Sequence, residues 1–299
     1  MWWTLMIAAA LAGDGPWTLS PRDQSVFLGV DQVRYSTFDA GNDQRIDLAS
    51  AVLDSVVTPI WTIGIRSGLE VELRVPVERA RVLDPEVCQA TAPVEGWCRT
   101  SQGVGDVEAH LKVRVLDELY GSPVSVALNT GFRSGEAYAE DRSRLSTLGD
   151  GQTDLGAGLS IGRTDVLGRG WYRLTADGRY WRRLDGASRN LADEVSGSFS
   201  ASFTVAPSFS IGPAAAGYMR LGGGTISAAD FTDPDVWSHI ATRQLQVGGK
   251  VGLYAQGKGP TLSVTVLRTV LAQNNPTDMM VYSVGLGWFF RARPVAAEE

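Results

Sequence analysis

The sequence predicts an all-β protein: a transmembrane antiparallel up-and-down β-barrel of twelve strands, with short periplasmic turns and longer extracellular loops. Three observations lead to this prediction. Segments of about 10 to 14 residues alternate apolar with polar or small residues, which is the period of a β-strand. Short and long connections alternate between the segments. Aromatic residues gather at segment ends, as in barrels of bacterial outer membranes.

The predicted strands differ in regularity. In the clearest one, Leu69, Val71 and Leu73 alternate with Glu70 and Glu72. Clear alternation covers 69–78, 107–115, 124–133, 153–161, 172–180, 195–205 and 280–290. Less regular candidates cover 26–35, 48–66, 209–221, 245–255 and 261–271. We expect a bulge or strand end at Pro213, which has no amide hydrogen, and another at Arg268, which interrupts an apolar set.

The connections predict the topology. Short links fall at 67–68, 117–122, 164–170, 206–208 and 257–260. Long polar links fall at 83–103, 134–150, 184–193, 222–240 and 272–278. Outer-membrane barrels have an even number of strands, with short turns in the periplasm and long loops outside. An even count therefore places both ends of the barrel chain on the periplasmic side.

Composition and charge exclude several classes of protein. The chain has 299 residues, 44% of them hydrophobic, which suits a folded protein better than a disordered one. Its formal charge of -6 and its three lysines provide no basic surface for a phosphate backbone, so we expect no nucleic-acid partner. No run approaches the roughly 20 apolar residues of a membrane-spanning helix. A membrane would have to be crossed by strands.

The first residues resemble an export signal. Residues 1–12 are apolar and end in Ala10-Leu11-Ala12, an A-x-A cleavage pattern, before a polar stretch. The alternative is a buried first strand. We predict a signal peptide at 1–12, a periplasmic N-terminal segment at 13–24, an outer-membrane barrel at 25–290 and a C-terminal extension at 291–299. This organisation predicts export to the outer membrane of a Gram-negative bacterium.

The only two cysteines, Cys88 and Cys98, lie in the long link 83–103. Their spacing fits a small loop closed by a disulfide in an oxidising compartment, in agreement with export. A reduced pair is the alternative, and no histidine or further cysteine lies nearby to suggest zinc.

Alternation alone also fits a secreted sandwich or a soluble lipid-binding barrel. Two features favour the membrane. The predicted strands are longer than the five or six residues usual in sandwiches. Aromatic residues at segment ends also suit an interfacial girdle, as at Trp171, Tyr172, Tyr180, Trp181 and 288–290.

The charged residues on the polar faces should point into the lumen, because Arg or Lys facing lipid near the midplane costs about 2 to 4 kcal/mol. The predicted lumen-lining residues are Glu70, Glu72, Arg74, Glu78, Glu108, His110, Lys112, Arg114, Arg173, Asp177 and Arg179. They either pair across strands and fill a narrow barrel, or line an aqueous path for solutes. We expect a narrow pore, or one obstructed by the N-terminal segment or an inturned loop. A polar lumen argues against a large hydrophobic ligand.

Two glycine-rich motifs carry a resemblance to a known family. Gly103-Val104-Gly105-Asp106 precedes the strand at Val107, and Leu148-Gly149-Asp150-Gly151-Gln152-Thr153-Asp154 precedes the strand at Leu155. With the aromatic last strand, they resemble the outer-membrane proteins of the "MetA-pathway of phenol degradation" family. The resemblance covers about residues 59–183. It implies a barrel that transports hydrophobic or aromatic compounds, and it identifies no binding residues.

Few residues suggest catalysis or metal binding. A barrel hydrolase would need a histidine beside a serine, and only His110 and His239 are present. Each has a structural explanation, as a lumen and a loop residue. The loop aspartates Asp230, Asp233 and Asp235 match no known calcium loop. We therefore expect no enzyme, cofactor or metal.

These inferences predict a passive channel or transporter for small solutes. The alternatives are a closed structural or interaction barrel with partner-binding extracellular loops and, third, a lipid-modifying barrel enzyme. Expected partners are outer-membrane lipid and lipopolysaccharide, whose phosphates Arg182 and Arg183 would contact. The last strand ends in Gly287-Trp288-Phe289-Phe290, which resembles the signal read by the barrel assembly machinery.

Overall fold

The computed structural model describes residues 15–39, 45–91, 98–134, 153–168, 170–184, 192–206, 208–222, 241–254 and 260–292. Its strand segments are β1 (Gln24–Asp39), β2 (Arg45–Arg66), β3 (Leu69–Arg74), β4 (Val77–Val82), β5 (Ser101–Val104), β6 (Val107–Leu116), β7 (Ser125–Ser134), β8 (Asp154–Leu167), β9 (Gly170–Arg183), β10 (Glu194–Ala206), β11 (Phe209–Arg220), β12 (Arg243–Tyr254), β13 (Thr261–Gln273) and β14 (Met280–Phe290). A short helix, α1 (Pro85–Thr91), and a 3-10 turn, Glu118–Tyr120, lie between strands. Neither helix of this described portion has the length and apolarity to cross a bilayer.

The segments form one closed antiparallel barrel of twelve strands, as predicted. Two barrel strands are each split in two. Pro76 separates β3 from β4, yet both pair with β2 in one continuous register. Gly105 and Asp106 form a bulge between β5 and β6. On either side of this bulge, β5 pairs with β4 and β6 pairs with β3. Pairing of β1 with both β2 and β14 closes the ring.

The two ends of the barrel differ, and we name them by their connections. The turn end carries the short connections, such as 67–68 and 117–124, and the point where the barrel chain begins and ends. The loop end carries the long connections 83–100, 135–153, 184–193 and 221–242, together with 40–44 and 274–279.

Burial alternates along the strands with the predicted two-residue period. On β3, Leu73 is exposed while Glu72 and Arg74 are buried, because side chains of successive residues point to opposite faces of a sheet. On β7, Leu128 and Phe132 are likewise exposed and Asn129 is buried. On these strands the outer face is therefore apolar and the inner face polar, the reverse of a soluble barrel.

The structure corrects both local expectations about irregular strands. Pro213 lies inside β11 with its side chain exposed, and it remains opposite Gly249 of β12. Only the pairing with β10 is interrupted, between Ala214 and Ile211. Arg268 also stays within its strand, exposed and opposite Met280. The irregularity lies two residues further on, because Leu271 and Thr269 pair with consecutive residues of β12 and leave Val270 as the extra residue.

The predicted disulfide is confirmed. Cys88 on α1 is bonded to Cys98, with the Cα atoms 6.0 Å apart. Both cysteines are buried and belong to one apolar cluster with Val52 and Val82 of neighbouring strands. The disulfide thus anchors the described part of this connection to the barrel at the loop end.

Asp278 connects the last loop to the first strand. Its carboxylate accepts hydrogen bonds from the amide of Thr37 at 2.8 Å and from the amide and hydroxyl of Ser36. The amide of Thr277 donates to the carbonyl of Thr37 at 3.0 Å. These bonds extend the seam between β1 and β14 beyond the end of their ladder. Partial burial alone would raise the pKa of Asp278, but the hydrogen bonds from Ser36 and Thr37 outweigh it and lower the pKa.

The lowered pKa predicts a pH-dependent contribution to stability. The carboxylate stabilises the fold fully above its unfolded pKa of about 3.9, and this contribution is lost as pH falls through the lower folded pKa. At pH 7, Asp278→Asn should reduce the free energy of unfolding by about 1 kcal/mol, a modest value because solvent screens this half-buried group. Urea titration of wild type and variant, refolded in lipid vesicles, would measure this difference in the free energy of unfolding. A difference from wild type that stays constant down to pH 3 would contradict the assignment.

Candidate functional site: the barrel lumen

All eleven residues predicted to line the lumen occupy inward-facing positions of their strands. Glu70, Glu72, Arg74, Glu78 and His110 are buried. Glu108, Lys112, Arg114, Asp177 and Arg179 are partly buried, and Arg173 is exposed to the space inside the turn end. Most of the charged groups lie against groups of opposite charge.

Ion pairs brace β3 against β6. Glu70 and Lys112 are directly opposite each other in the ladder, and their side chains meet at 2.8 Å. Arg74 pairs with Glu72 at 2.5 Å on the same face of β3. Near the turn end, Arg114 pairs with Asp117 at 3.0 Å. Opposite charges across a ladder stabilise the strand pair, so this wall of the lumen is held by its own side chains.

Arg133 of β7 is the centre of a second group. It pairs with Glu108 at 3.0 Å and with Asp154 at 3.1 Å, and its guanidinium lies 4.2 Å from the ring centroid of Trp181. Glu108 also contacts His110 at 2.9 Å. Arg133 and Asp154 lie on predicted polar faces, but they were not among the predicted lumen-lining residues. Their link becomes visible only once the register of β6, β7 and β8 is known.

Trp181 does not belong to an outer aromatic girdle. Its side chain is 2% exposed and points inward, so its predicted interfacial position is wrong. Glycines on β8 and on β7, the next strand beyond it, leave room for the indole: a Cβ at Gly156 would lie 2.7 Å from it, and one at Gly131 2.8 Å. Trp171 is an even number of residues from Trp181 on β9 and therefore also faces inward, where its ring lies near the guanidinium of Arg173.

Arg182 and Arg183 point in opposite directions. Arg182 is exposed on the outer face at the loop end. Arg183 faces the lumen and pairs with Glu194 at 2.6 Å, with both side chains 0% exposed. The predicted contact of Arg183 with lipopolysaccharide is therefore corrected, because adjacent residues of a strand face opposite sides.

Acidic residues occupy the wall of the lumen opposite β9. Asp31 of β1, Asp54 of β2 and Glu78 of β4 are buried on the inner face. Arg179 and Arg183 lie on β9, on the far side of the ring. The sequence analysis missed Asp31 and Asp54 because their strands are apolar on both faces and show little alternation.

Toward the loop end, the inner face is apolar on the side formed by β1, β2, β13 and β14, where the sequence predicted a polar lumen, whereas β7 to β10 carry buried charged residues there. Val33 of β1, Val52 of β2, Leu267 of β13 and Val281 of β14 are fully buried. They form one cluster with Met279 and the disulfide. A hydrophobic solute would therefore meet an apolar wall in this part of the lumen.

The N-terminal segment, residues 15–22, enters the lumen at the turn end. The amide of Leu19 donates to Glu70 at 2.9 Å, and the indole of Trp17 donates to Glu118 at 3.3 Å. Pro16 and Trp17 pack on Gly162 of β8, where a Cβ would lie 2.6 Å from the indole. The amide of Arg22 donates to the carbonyl of Gly64 on β2 at 2.7 Å. The segment thus runs across the lumen from β2 to β8.

A cavity of about 490 Å³ remains beside this segment. Its walls include Trp17 and Leu19 of the segment, Phe27 of β1, and Arg173 and Tyr254. The ring of Phe27 lies over glycines of β14, and a Cβ at Gly285 would lie 2.0 Å from it. The cavity has the size and the mixed apolar and polar lining of a small-molecule site.

The described residues offer His110 no nucleophile. Its Nε2 bonds to Glu108, and its ring packs edge-on against Trp181. His239 and the loop aspartates Asp230, Asp233 and Asp235 lie outside the described residues, as do the predicted signal peptide, most of the C-terminal extension and residues 148–152 of the second glycine-rich motif.

The burial of the Arg183–Glu194 pair predicts a strong dependence on both partners. Glu194→Gln leaves the guanidinium buried without its counterion, so it should lower the free energy of unfolding by about 3 kcal/mol. Asp47→Asn is the control, since the Arg45–Asp47 pair has side chains 67% and 75% exposed. It should change stability by less than about 0.5 kcal/mol. Equal effects of the two variants in urea titrations would show that burial of the pair is unimportant.

Comparison with known proteins supports the fold. No family model and no curated protein sequence matches the chain, so the family suggested by the glycine-rich motifs stays a prediction. Among solved structures, the chain is similar to the COG4313 outer membrane channel from Pseudomonas putida F1, with a TM-score of 0.68, 13% identity, and 93% of this chain and 98% of that chain covered. The NanC porin gives a TM-score of 0.46 at 8% identity over 87% and 98% of the chains. A mutant of the TodX monoaromatic hydrocarbon channel gives 0.45 at 10% identity over 94% of both. At 13% identity, the first similarity shows that this chain has the fold of an outer-membrane channel barrel.

Proposed function

We propose that this protein is a passive channel for small hydrophobic or aromatic solutes in the outer membrane of a Gram-negative bacterium. One observation carries the proposal. The turn end of the lumen is obstructed by the N-terminal segment, which is not part of the barrel wall, and a cavity remains beside it. A displaceable segment beside a ligand-sized cavity suits a gated path better than a purely structural barrel.

The outer face supports the membrane location. Its exposed apolar residues form a continuous surface around the ring, including Val30, Val57, Leu128 and Leu159. Exposed aromatic residues lie near the turn end, at Trp61, Trp288 and Phe290, and near the loop end, at Phe132 and Tyr180. Two aromatic belts around an apolar band are typical of outer-membrane barrels. In this orientation the turn end is periplasmic and the loop end extracellular.

The inner face supports a small and largely apolar cargo. Its charges are mostly neutralised in pairs, and one side of the wall toward the loop end is apolar. The cavity at the turn end adds Phe27, Trp17 and Tyr254. The P. putida channel, whose crystal structure is known, has the same fold, and this similarity supports transport as the role of this protein.

Outward arginines at the loop end support contact with lipopolysaccharide. Arg182 is exposed there, as are Arg34, Arg243 and Arg268 on other strands. Guanidinium groups bind phosphate oxygens in a bidentate manner. Arg182→Ala should therefore reduce the amount of lipopolysaccharide that co-purifies with the protein. An unchanged amount would remove Arg182 from the proposed contact.

A closed interaction barrel is the second candidate, and the packing at the loop end favours it. Val52, Leu267 and Val281 are fully buried there, and the disulfide fixes the connection of Cys88 to the barrel. Such a barrel would use its loops to bind a partner and would pass no solute. A lipid-modifying enzyme has less support, because the described contacts of His110 are with Glu108 and Trp181 and include no serine hydroxyl.

Uptake of a hydrophobic fluorophore separates these functions. Cells that produce the protein should take up 1-N-phenylnaphthylamine, which intact outer membranes exclude, faster than cells with an empty vector. Trp17→Ala should raise the rate by about twofold or more, because it removes the packing and the indole hydrogen bond that hold the segment.

Trp61→Ala is the matched control, since Trp61 faces outward near the same end. It should behave as wild type. Heat-modifiable migration in gels would verify that each variant is folded. If wild type and Trp17→Ala both take up the fluorophore at the vector rate, the channel proposal fails and the interaction barrel is favoured.

A further inference from the structure

Arg173 of β9 differs from the other cations of the lumen. Its guanidinium lies 4.6 Å from the ring centroid of Trp17 and 5.5 Å from that of Trp171. Lys112, Arg133 and Arg183 each pair with a carboxylate. Within the ranges that the structure describes, Arg173 forms no such ion pair.

The acids that line the same cavity already have partners. Glu70 binds Lys112 through one oxygen and the amide of Leu19 through the other. Glu72 binds Arg74 at 2.5 Å. Stacking against indoles uses the face of a guanidinium and leaves its N–H groups for an acceptor in the ring plane. The cavity therefore presents a fixed cation whose carboxylate partner is not supplied by these residues.

Apolar and aromatic groups complete the cavity. Phe27 and Phe289 come from β1 and β14, and Tyr254 comes from β12, where its ring lies near Trp171. Lys250 of β12 adds a second cationic side chain to the lining. A volume of about 490 Å³ accommodates a body of one or two rings.

We propose that this cavity binds an aromatic or short aliphatic carboxylate, with the carboxylate on Arg173 and the apolar body against Phe27 and Tyr254. The inference rests on the proposed function, and it specifies the class of solute that the channel holds at its periplasmic end. A carboxylate matches the bidentate geometry of a guanidinium, and the flat apolar body replaces water on the aromatic walls.

Binding of two matched probes tests this site. The full mature protein would be refolded into lipid nanodiscs, since detergent would compete for the cavity. Calorimetric titration would compare 2-naphthoate with 2-naphthamide, its neutral counterpart. Wild type should bind the naphthoate at least about tenfold more tightly, as expected for a charge-assisted hydrogen bond.

Variants assign this preference to Arg173. Arg173→Gln should remove the preference for naphthoate and leave the affinity for naphthamide near that of wild type, which also shows that the variant is folded. Arg173→Lys should retain part of the preference. Arg163→Gln is the control, because Arg163 carries the same charge on the outer face near the same end and pairs with Asp165.

The outcomes also separate this inference from the function. Equal affinity of wild type for the two probes, or an unchanged preference in Arg173→Gln, overturns the role of Arg173 while fluorophore uptake still supports a channel. Binding of neither probe overturns the cavity as a solute site. Absence of fluorophore uptake together with specific naphthoate binding would overturn the channel and leave the binding site.

Discussion

Because twelve strands enclose a narrow lumen, a charged side chain on the inner face loses much of its water and needs an opposite charge nearby. Arg133 illustrates this constraint. Its guanidinium joins Glu108 on one neighbouring strand to Asp154 on the other and packs on Trp181 from β9. The pairs Glu70–Lys112 and Arg183–Glu194 likewise join adjacent strands by opposite charges. The lumen is thus braced by its own charges, and little of the inner wall is left for bulk water.

The two ends of the lumen are lined differently. At the loop end, one side of the inner wall is apolar and packed around Leu267 and Val281. At the turn end the N-terminal segment crosses the lumen and leaves a cavity at Arg173. A path for solutes would connect these two regions, and its opening would require displacement of the segment. The proposed channel is therefore narrow and gated, in contrast to a wide aqueous pore.

The sequence predicted the fold well because alternation is a local signal. On β3, polar residues alternate strictly with apolar ones, and on β7 they do so with few exceptions; the observed faces follow. The same two-residue period places Trp181 and Arg183 on the inner face of β9. They were nevertheless predicted to face outward, because aromatic and basic residues near a strand end are typical of an interfacial girdle. Their real surroundings depend on register, since Gly131 and Gly156 make room for Trp181 only when β7 and β8 are aligned with β9. The apolar inner wall at Val33 and Val52 gave no signal, because its strands are apolar on both faces.

The sequence predicted an obstruction by either the N-terminal segment or an inturned loop, but it could not place the segment, because its position depends on contacts with five separate strands or turns. Single-channel recording in a planar lipid bilayer tests its role most directly. The comparison is between the refolded mature protein and a variant that lacks residues 15–22. The account predicts a small conductance for the full chain and a several-fold larger one for the deletion variant. Equal conductance of the two proteins, or silence of both in a folded state, would contradict it.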